Sequence, residues 1–326
     1  MFSLQELEAA ANIVLDAMPA TPQYNWPLLC ERTGCDLWVK HENHTPIGAF
    51  KLRGGLVFLK ELLASGDKVS GIITATRGNH GQSIALAGRK YDLPVTLYMP
   101  HGNSVEKNNA MRAFGADLVE YGVDFDEARV EAGRVATEQD LTFVPSFHRW
   151  LVRGVATYAY EFFNAVGDLD TVYVPVGMGS GICGLISTRD VLGLGTKIVG
   201  VVAENAPAYA MSFETGEVRE TNSAVTFADG VACRVPSKEA LEVIRRGADR
   251  IVKVSEDEIA AAIRAYYNDT HNLAEGAGAA PLAALVKETN AMRGRKVGVI
   301  LTGGNIDAPM FHKVLSGETP QLSEAA

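Results

Sequence analysis

Short β-branched runs alternate with segments of helical apolar spacing along most of the chain, and this alternation constrains the fold more than any other feature. It predicts parallel sheets, because a parallel strand pair needs a long crossover and a helix is the usual one. In a first series, strands are predicted at residues 71–75, 95–99 and 118–121, and helices at 82–91, 104–114 and 124–139. In a second series, strands are predicted at residues 171–176, 198–203 and 297–301, with helices at 149–166 and from Ile182.

The two series predict an α/β protein of two units, each a parallel sheet covered by helices. The chain has 326 residues, of which 47% are hydrophobic, and this suffices to bury the cores of two units. We predict a small unit of residues 66–148. Residues 1–65 and 149–326 are predicted to form a large unit, with the N-terminal segment packed on the C-terminal half. The polar tail after Leu315 is predicted to fray.

Composition and charge exclude several classes of partner. The formal net charge is −9 and lysines and arginines form no dense cluster, so neither nucleic acid nor an anionic membrane is an expected partner. No segment reaches the ~18 consecutive apolar residues of a membrane span, and acids at Glu6 and Glu8 argue against a signal peptide. The four cysteines form no CxxC pair, which predicts a reducing, cytoplasmic location.

Lys51 is the candidate reactive residue. It follows a predicted strand at residues 35–40 and stands at the start of a predicted helix at 52–63. The positive end of the helix dipole and the neighbouring Arg53 are expected to disfavour protonation of its amine, and Phe50 is expected to shield it from water. An uncharged but basic amine is what covalent chemistry with carbonyl compounds requires. The alternative is an ordinary solvated lysine on the surface.

The segment around this lysine, Pro46-Ile-Gly-Ala-Phe-Lys-Leu-Arg-Gly-Gly55, closely resembles the cofactor-lysine segment of fold type II pyridoxal-phosphate enzymes, specifically the threonine/serine dehydratases. The resemblance implies a two-domain, tryptophan synthase beta-like α/β fold. It implies pyridoxal 5'-phosphate as the cofactor, bound covalently by Lys51 and contacted by Phe50. It also implies a small-molecule amino acid as substrate and a homodimer as the assembly.

A predicted strand at residues 171–176 leads into a glycine-rich turn and a helix. Glycines let the backbone approach a phosphate, and a helix N-terminus offers free N–H groups. The turn alone leaves three interpretations open: the phosphate of pyridoxal phosphate, a dinucleotide, or a plain tight turn. Residues 179–184 fit G-x-G-x-x-G, and Glu204 is placed for a ribose. The family resemblance favours the first interpretation and implies that the cofactor is bound by Gly177, Met178, Gly179, Ser180 and Gly181. Met178 and Ser180 stand where the family often has glycine.

A second turn, at residues 74–81, reads Thr-Ala-Thr-Arg-Gly-Asn-His-Gly. Gly78 and Asn79 tolerate unusual backbone angles, so the turn can direct N–H groups at an anion, although Asn79 could also simply cap the next helix. The resemblance implies that Asn79 bonds the 3-oxygen of the cofactor. It implies that the substrate is bound by Thr76, Arg77, Gly78, Asn79 and His80. Arg77 departs from the family, where serine or threonine is common; its permanent charge makes it an anion clamp and a poor proton donor.

Four further matches lie in the C-terminal half. Thr302 follows the last predicted strand, where the family places a hydroxyl or thiol against the pyridine nitrogen; the alternative is a simple strand-end turn. A neutral hydroxyl leaves the ring a weaker electron sink, which suits elimination better than transamination. Gly230 matches a turn beside the cofactor, and Glu275 matches a turn near the active site. Glu204 matches a cation ligand of some relatives, but Ala210 occupies the downstream acidic position, so no metal site is predicted.

We therefore predict a pyridoxal-phosphate-dependent dehydratase in which Lys51 is catalytic. It would convert a β-hydroxy-α-amino acid into a 2-oxo acid and ammonia by α,β-elimination of water. The substrate stays open between threonine, serine and bulkier compounds such as phenylserine or an intermediate of hydroxyectoine breakdown. The rival prediction is an NAD-dependent oxidoreductase that uses residues 179–184 and Glu204. A third alternative is a ligand-sensing protein without catalysis, although a pure binder has no need of the Lys51 amine.

Overall fold

A computed structural model describes residues 1–321 of the protein. Its helices are α1 Leu4–Leu15, α2 Pro27–Thr33, α3 Lys51–Ala64, α4 Asn79–Lys90, α5 Val105–Ala113, α6 Phe125–Glu138, α7 Arg149–Val166, α8 Ser180–Val191, α9 Ala208–Thr215, α10 Lys238–Gly247, α11 Glu256–Thr270, α12 Gly276–Lys287, α13 Thr289–Met292 and α14 Ala308–Leu315. Its strands are β1 Gln23–Asn25, β2 Asp36–His41, β3 Ile72–Ala75, β4 Val95–Met99, β5 Asp117–Glu120, β6 Thr142–Phe143, β7 Thr171–Pro175, β8 Lys197–Ala203, β9 Arg250–Val254 and β10 Lys296–Leu301. The end of the predicted frayed tail, residues 322–326, lies outside the described residues.

The strands form two sheets. The larger has six strands in the order β1-β2-β10-β7-β8-β9, and only the short edge strand β1 is antiparallel to its neighbour. The smaller has four parallel strands in the order β5-β4-β3-β6. The predicted α/β fold of parallel sheets covered by helices is confirmed. The division into domains at residues 65/66 and 148/149 stays a prediction, although β2 does pair with β10 in the larger sheet.

Both faces of the sheets are covered, which explains the unbroken apolar runs that the sequence shows. All four residues of β3 and six of the seven in β8 are buried, as expected for parallel strands with helices on each side. On the larger sheet, α11 and α12 pack on one face, and α7, α8 and α10 pack on the other. No helix among residues 1–321 is long and apolar enough to cross a membrane.

Close packing of α3 against α7 holds the segment that begins with Lys51. A β-carbon on Gly154 of α7 would lie 2.3 Å from the carbonyl oxygen of Arg53, and one on Gly54 would lie 3.0 Å from the carbonyl oxygen of Leu151. The two helix backbones therefore touch, which only glycine permits. This contact holds α3 against α7, which packs on the larger sheet.

Candidate active site

The segments singled out in the sequence meet at the carboxyl ends of neighbouring strands. Lys51 follows β2, Thr302 follows β10 and the glycine-rich turn follows β7, and these three strands lie side by side in the larger sheet. The N–H of Phe50 donates to the carbonyl oxygen of Thr302 at 2.9 Å, which ties the first two segments together. Crevices at the carboxyl ends of parallel strands are where α/β proteins bind ligands.

The amine of Lys51 points at the glycine-rich turn. Its Nζ donates to the Oγ of Ser180 at 3.3 Å and lies 5.2 Å from the centroid of the Phe50 ring. On the other side of the residue, Ser83 of α4 donates its hydroxyl to the Lys51 carbonyl oxygen at 2.6 Å. The backbone and the amine of Lys51 are thus both held, and Phe50 forms the wall that the sequence predicts.

Burial lowers the pKa of Lys51 to about 8, and the negative charge of Glu275 opposes this shift. Roughly one amine in ten is then neutral at pH 7, against fewer than about one in a thousand for an ordinary lysine. The amine is therefore a usable base and nucleophile near neutral pH.

Arg53 does not act on this amine as the sequence suggested. Its guanidinium, fully buried, donates to both carboxylate oxygens of Glu42, at 2.7 and 3.0 Å, and to both of Glu161, at 2.7 and 2.9 Å. Lys40 also donates to Glu161, at 2.6 Å. The charge of Arg53 is thus neutralised in a buried ion network beneath α3, and the prediction that it disfavours protonation of Lys51 is wrong. Adjacency in sequence does not reveal which way two side chains point.

The glycine-rich turn forms a cradle that side chains would fill. A β-carbon on Gly177 would lie 2.1 Å from the carbonyl oxygen of Gly230, and Gly179 has a φ of +97°, which favours glycine. Gly179 precedes the first residue of α8, and no side chain caps that helix. Its first N–H groups and the positive end of its dipole are thus open to an anion. The residues present fit a phosphate group placed next to the Lys51 amine.

Two tyrosines that the sequence did not single out brace this turn. Tyr158 of α7 donates its hydroxyl to the carbonyl oxygen of Gly181 at 3.1 Å, and Tyr209 of α9 donates to that of Met178 at 3.0 Å. Both tyrosines are buried. Each lies more than 20 residues from the residue that it bonds, so no local pattern marks its role.

The turn after β3 is held from within. The hydroxyl of Thr76 accepts from the N–H groups of Gly78 and Gly81, both at 2.9 Å. A β-carbon on Gly78 would lie 2.6 Å from the Cδ of Lys107, so a side chain there would displace Lys107 from its position across the turn. Lys107 in turn pairs with Asp229 at 2.8 Å, next to Gly230. The turn after β3 and the phosphate cradle are therefore connected through Lys107.

Asn79 is the first residue of α4 and connects three segments. Its amide nitrogen donates to the two carboxylate oxygens of Glu275, at 2.8 and 3.1 Å, and its amide oxygen accepts from Asn305 at 2.7 Å. Burial raises the pKa of Glu275, and the charge of Lys107 opposes that rise. Glu275 thus contributes to the site by accepting hydrogen bonds from Asn79 and by its negative charge. From the sequence, this position shows only a short match to a family turn.

His80 and Arg77, from the same turn, lie in different environments, since the His80 ring is enclosed and the Arg77 side chain is exposed. The His80 ring contacts the hydroxyl of Thr74 at 3.3 Å, and burial together with the charge of Lys51 lowers its pKa to about 3. His80 is therefore neutral at any ordinary pH. Arg77 is exposed, and within residues 1–321 it has no ion-pair partner, so its charge is available to a ligand.

Glu204, the acid required by the dinucleotide alternative, accepts from Lys287 at 3.4 Å on the surface. In the described part of the chain, no cluster of three or more histidine, cysteine, aspartate or glutamate side chains could hold a metal ion.

The fold and the site define an α/β enzyme whose reactive amine lies beside a phosphate cradle. Comparison with known proteins identifies the cofactor chemistry: residues 14–303 match the family model described as "Pyridoxal-phosphate dependent enzyme", and the chain belongs to that family. It is 36% identical over 290 residues to the L-threonine ammonia-lyase of Geobacter sulfurreducens, covering 87% of this chain and 71% of that protein. It is 32% identical over 302 residues to the biosynthetic L-threonine dehydratase IlvA of Haemophilus influenzae, covering 92% of this chain but 58% of that protein.

A solved structure agrees with these relatives. The processed form of threonine deaminase isoform 2 from Solanum lycopersicum superposes with a TM-score of 0.88 at 30% identity, covering 97% of this chain and 94% of that chain. The predicted membership of the pyridoxal-phosphate enzymes related to threonine dehydratases is thus confirmed, as are the fold type and the cofactor. The NAD-dependent alternative finds no support in these comparisons.

Proposed function

We propose that the protein eliminates water from a β-hydroxy-α-amino acid and releases a 2-oxo acid and ammonia. The observation that carries the proposal is the Lys51 amine, with its lowered pKa, 3.3 Å from a side chain of the phosphate cradle. The relatives from Geobacter sulfurreducens and Haemophilus influenzae are named for threonine, which makes threonine and serine the first candidate substrates.

The residues proposed to hold the cofactor surround Lys51. The phosphate would be bound by the uncapped N-terminus of α8 and by the turn whose glycines leave room for it. Lys51 would bind the cofactor covalently, with Phe50 alongside and Thr302 at the ring nitrogen. The other proposed cofactor residues are Asn79, Gly177, Met178, Gly179, Ser180, Gly181 and Gly230.

Bound pyridoxal phosphate supplies a conjugated ring that takes up the electron pair of the broken Cα–H bond. The amine of Lys51 accepts the Cα proton at its Nζ, which burial makes possible near neutral pH. Ser83 and the contact between α3 and α7 hold the backbone of Lys51 in place. Phe50 shields the amine on one side, which limits competing contact with water.

The turn after β3 is proposed to bind the substrate, through Thr76, Arg77, Gly78, Asn79 and His80. Thr76 gives the turn its shape through two hydrogen bonds, and Asn79 is oriented by Glu275 and Asn305. The exposed guanidinium of Arg77 would clamp the substrate carboxylate.

We further propose that residues 1–65 and 149–326 form the cofactor-binding domain, and residues 66–148 the domain that carries the substrate turn. The assembly is proposed to be a homodimer, as the family resemblance implies, and light scattering of the purified protein tests this. The cytoplasmic location rests on the cysteine pattern and stays a proposal.

A panel of β-hydroxy-α-amino acids tests the proposed function. Purified enzyme should release a 2-oxo acid and ammonia in equal amounts from at least one of L-threonine, L-serine and L-phenylserine. Release of neither product from any β-hydroxy-α-amino acid, by protein that carries bound cofactor, would contradict the proposal.

A further inference from the structure

Ser180 bears the side chain that accepts a hydrogen bond from the Lys51 amine. It is the first residue of α8 and is only 3% exposed. The family often has glycine at this position, so a phosphate cradle of this kind does not require a hydroxyl. A side chain placed here, against the reactive amine, calls for a different explanation.

The turn that carries Ser180 is held in place by its surroundings. The Tyr158 hydroxyl bonds the carbonyl oxygen of Gly181, the next residue, at 3.1 Å. The Tyr158 ring also packs edge-on against Phe50, with ring centroids 6.2 Å apart, and Phe50 precedes Lys51. One buried tyrosine thus fixes both the turn that carries Ser180 and the wall beside Lys51. The distance from Oγ to Nζ therefore depends on rigid elements.

A hydroxyl is suited to this position because it serves both protonation states of the amine. It accepts a hydrogen bond from an ammonium group and can donate one to a neutral amine. It also carries no charge, whereas a carboxylate here would favour the ammonium form and remove the base. A hydroxyl therefore orients the amine without charging it.

We propose that Ser180 is a positioning residue for the reaction: its hydroxyl holds the amine of Lys51 whenever that amine is not bound to the cofactor, while the lysine takes up the Cα proton. This inference rests on the proposed function and assigns Ser180 a role beyond phosphate binding.

Two alanine variants of α8 test the proposal. Ser180→Ala removes the hydroxyl at Lys51, and Ser187→Ala removes a buried hydroxyl of the same helix that has no hydrogen-bond partner. With the enzyme saturated in pyridoxal phosphate, Ser180→Ala should lower kcat about 10-fold, as expected for the loss of one hydrogen bond, and leave KM within about twofold. The deuterium isotope effect with Cα-deuterated substrate should rise, since proton transfer becomes slower. Ser187→Ala should change none of these quantities.

A second measurement does not depend on turnover. The full-length chain, freed of cofactor, is mixed with pyridoxal phosphate, and the rate of covalent capture by Lys51 is followed by absorbance. Ser180→Ala should slow this capture about 10-fold, because the amine is no longer aligned, and Ser187→Ala should match the unmodified protein.

The outcomes separate the alternatives. If Ser180 only binds phosphate, its alanine variant will lose cofactor more readily but keep kcat and the isotope effect when saturated, and the positioning role is overturned. If the unmodified enzyme dehydrates no substrate, the proposed function fails. The capture rates still test Ser180 in that case, and equal rates for Ser180→Ala and the unmodified chain overturn its role.

Discussion

At the scale of single residues, the state of the Lys51 amine determines what this site can do. Burial lowers its pKa to about 8, and Glu275 pulls in the opposite direction. A neutral amine is the form that accepts a proton, so the rate should rise with pH as Lys51 loses its charge. His80, with a pKa of about 3, is already neutral and contributes no further step near neutral pH.

We predict that kcat rises with pH around a midpoint near 8, about 2.5 pH units below the pKa of an ordinary lysine. Glu275→Gln removes the charge that raises the pKa of Lys51, so the midpoint should move to lower pH. Profiles of kcat against pH for the two proteins check this. A midpoint that is unchanged or higher in Glu275→Gln would show that Glu275 does not act on the amine.

Local sequence led to the proposed site residues but not to their partners. Lys51, Thr76 and Thr302 could be found because each follows a strand in a recognisable turn. Glu275 and Asn305 reach Asn79 from about 200 residues away, and no local pattern encodes such a contact. For the same reason, the sequence does not show that the Arg53 side chain bonds Glu42 and Glu161 and not the surroundings of the Lys51 amine.

At the scale of elements, glycines decide where backbones and ligands fit. Gly177 has no space for a side chain, since a β-carbon would lie 2.1 Å from the Gly230 carbonyl oxygen, whereas one on Gly133 of α6 would have no neighbour within 4 Å. Gly177→Ala should therefore distort the cradle and weaken retention of cofactor at least about 10-fold, measured by equilibrium dialysis. Gly133→Ala should retain cofactor as the unmodified protein does. Equal retention by both variants would remove Gly177 from the cradle.

The buried ion network of Arg53, Glu42 and Glu161 is a second feature at this scale. Arg53→Met leaves Glu42 and Glu161 without their main partner and should lower the free energy of unfolding by about 3–5 kcal/mol. Arg134→Met, which breaks exposed pairs on α6, should leave stability nearly unchanged. Urea unfolding of the two variants measures both values, and similar stabilities would mean that the network is not important for holding α3.

Three long helices were predicted closely, whereas α11, with 15 residues, and the shortest strands were not predicted. Helices α3, α6 and α7 lie within one or two residues of their predicted bounds. Strands β1 and β6 have three and two residues, too few to show an alternating pattern. Their existence depends on the strand beside them, β2 in one case and β3 in the other.

At the scale of the whole molecule, a few polar contacts connect residues at the helices α5 and α6 with residues of the C-terminal half of the chain. Lys107 pairs with Asp229 at 2.8 Å, Ser104 donates to Asp307 at 2.6 Å, and Arg234 pairs with Asp126. Of these residues, Lys107 lies against Gly78 in the turn after β3. These contacts were unpredictable because each joins residues that are more than 100 positions apart.

We predict that Lys107→Met raises KM for the substrate several-fold with a smaller change in kcat, because the turn at Gly78 loses its connection to Asp229. Steady-state kinetics measure this, with Arg134→Met on the neighbouring helix α6 as the control. An unchanged KM would show that the connection does not help to hold the turn.

We propose that Lys51 both binds the cofactor covalently and accepts the Cα proton of the substrate. The most direct measurement is reduction of the holoenzyme with borohydride, followed by digestion and mass spectrometry of the pyridoxyl-labelled peptide. We expect one labelled lysine, Lys51, and neither label nor turnover in Lys51→Ala. A label on another lysine, or dehydration at an undiminished rate by Lys51→Ala, would contradict it.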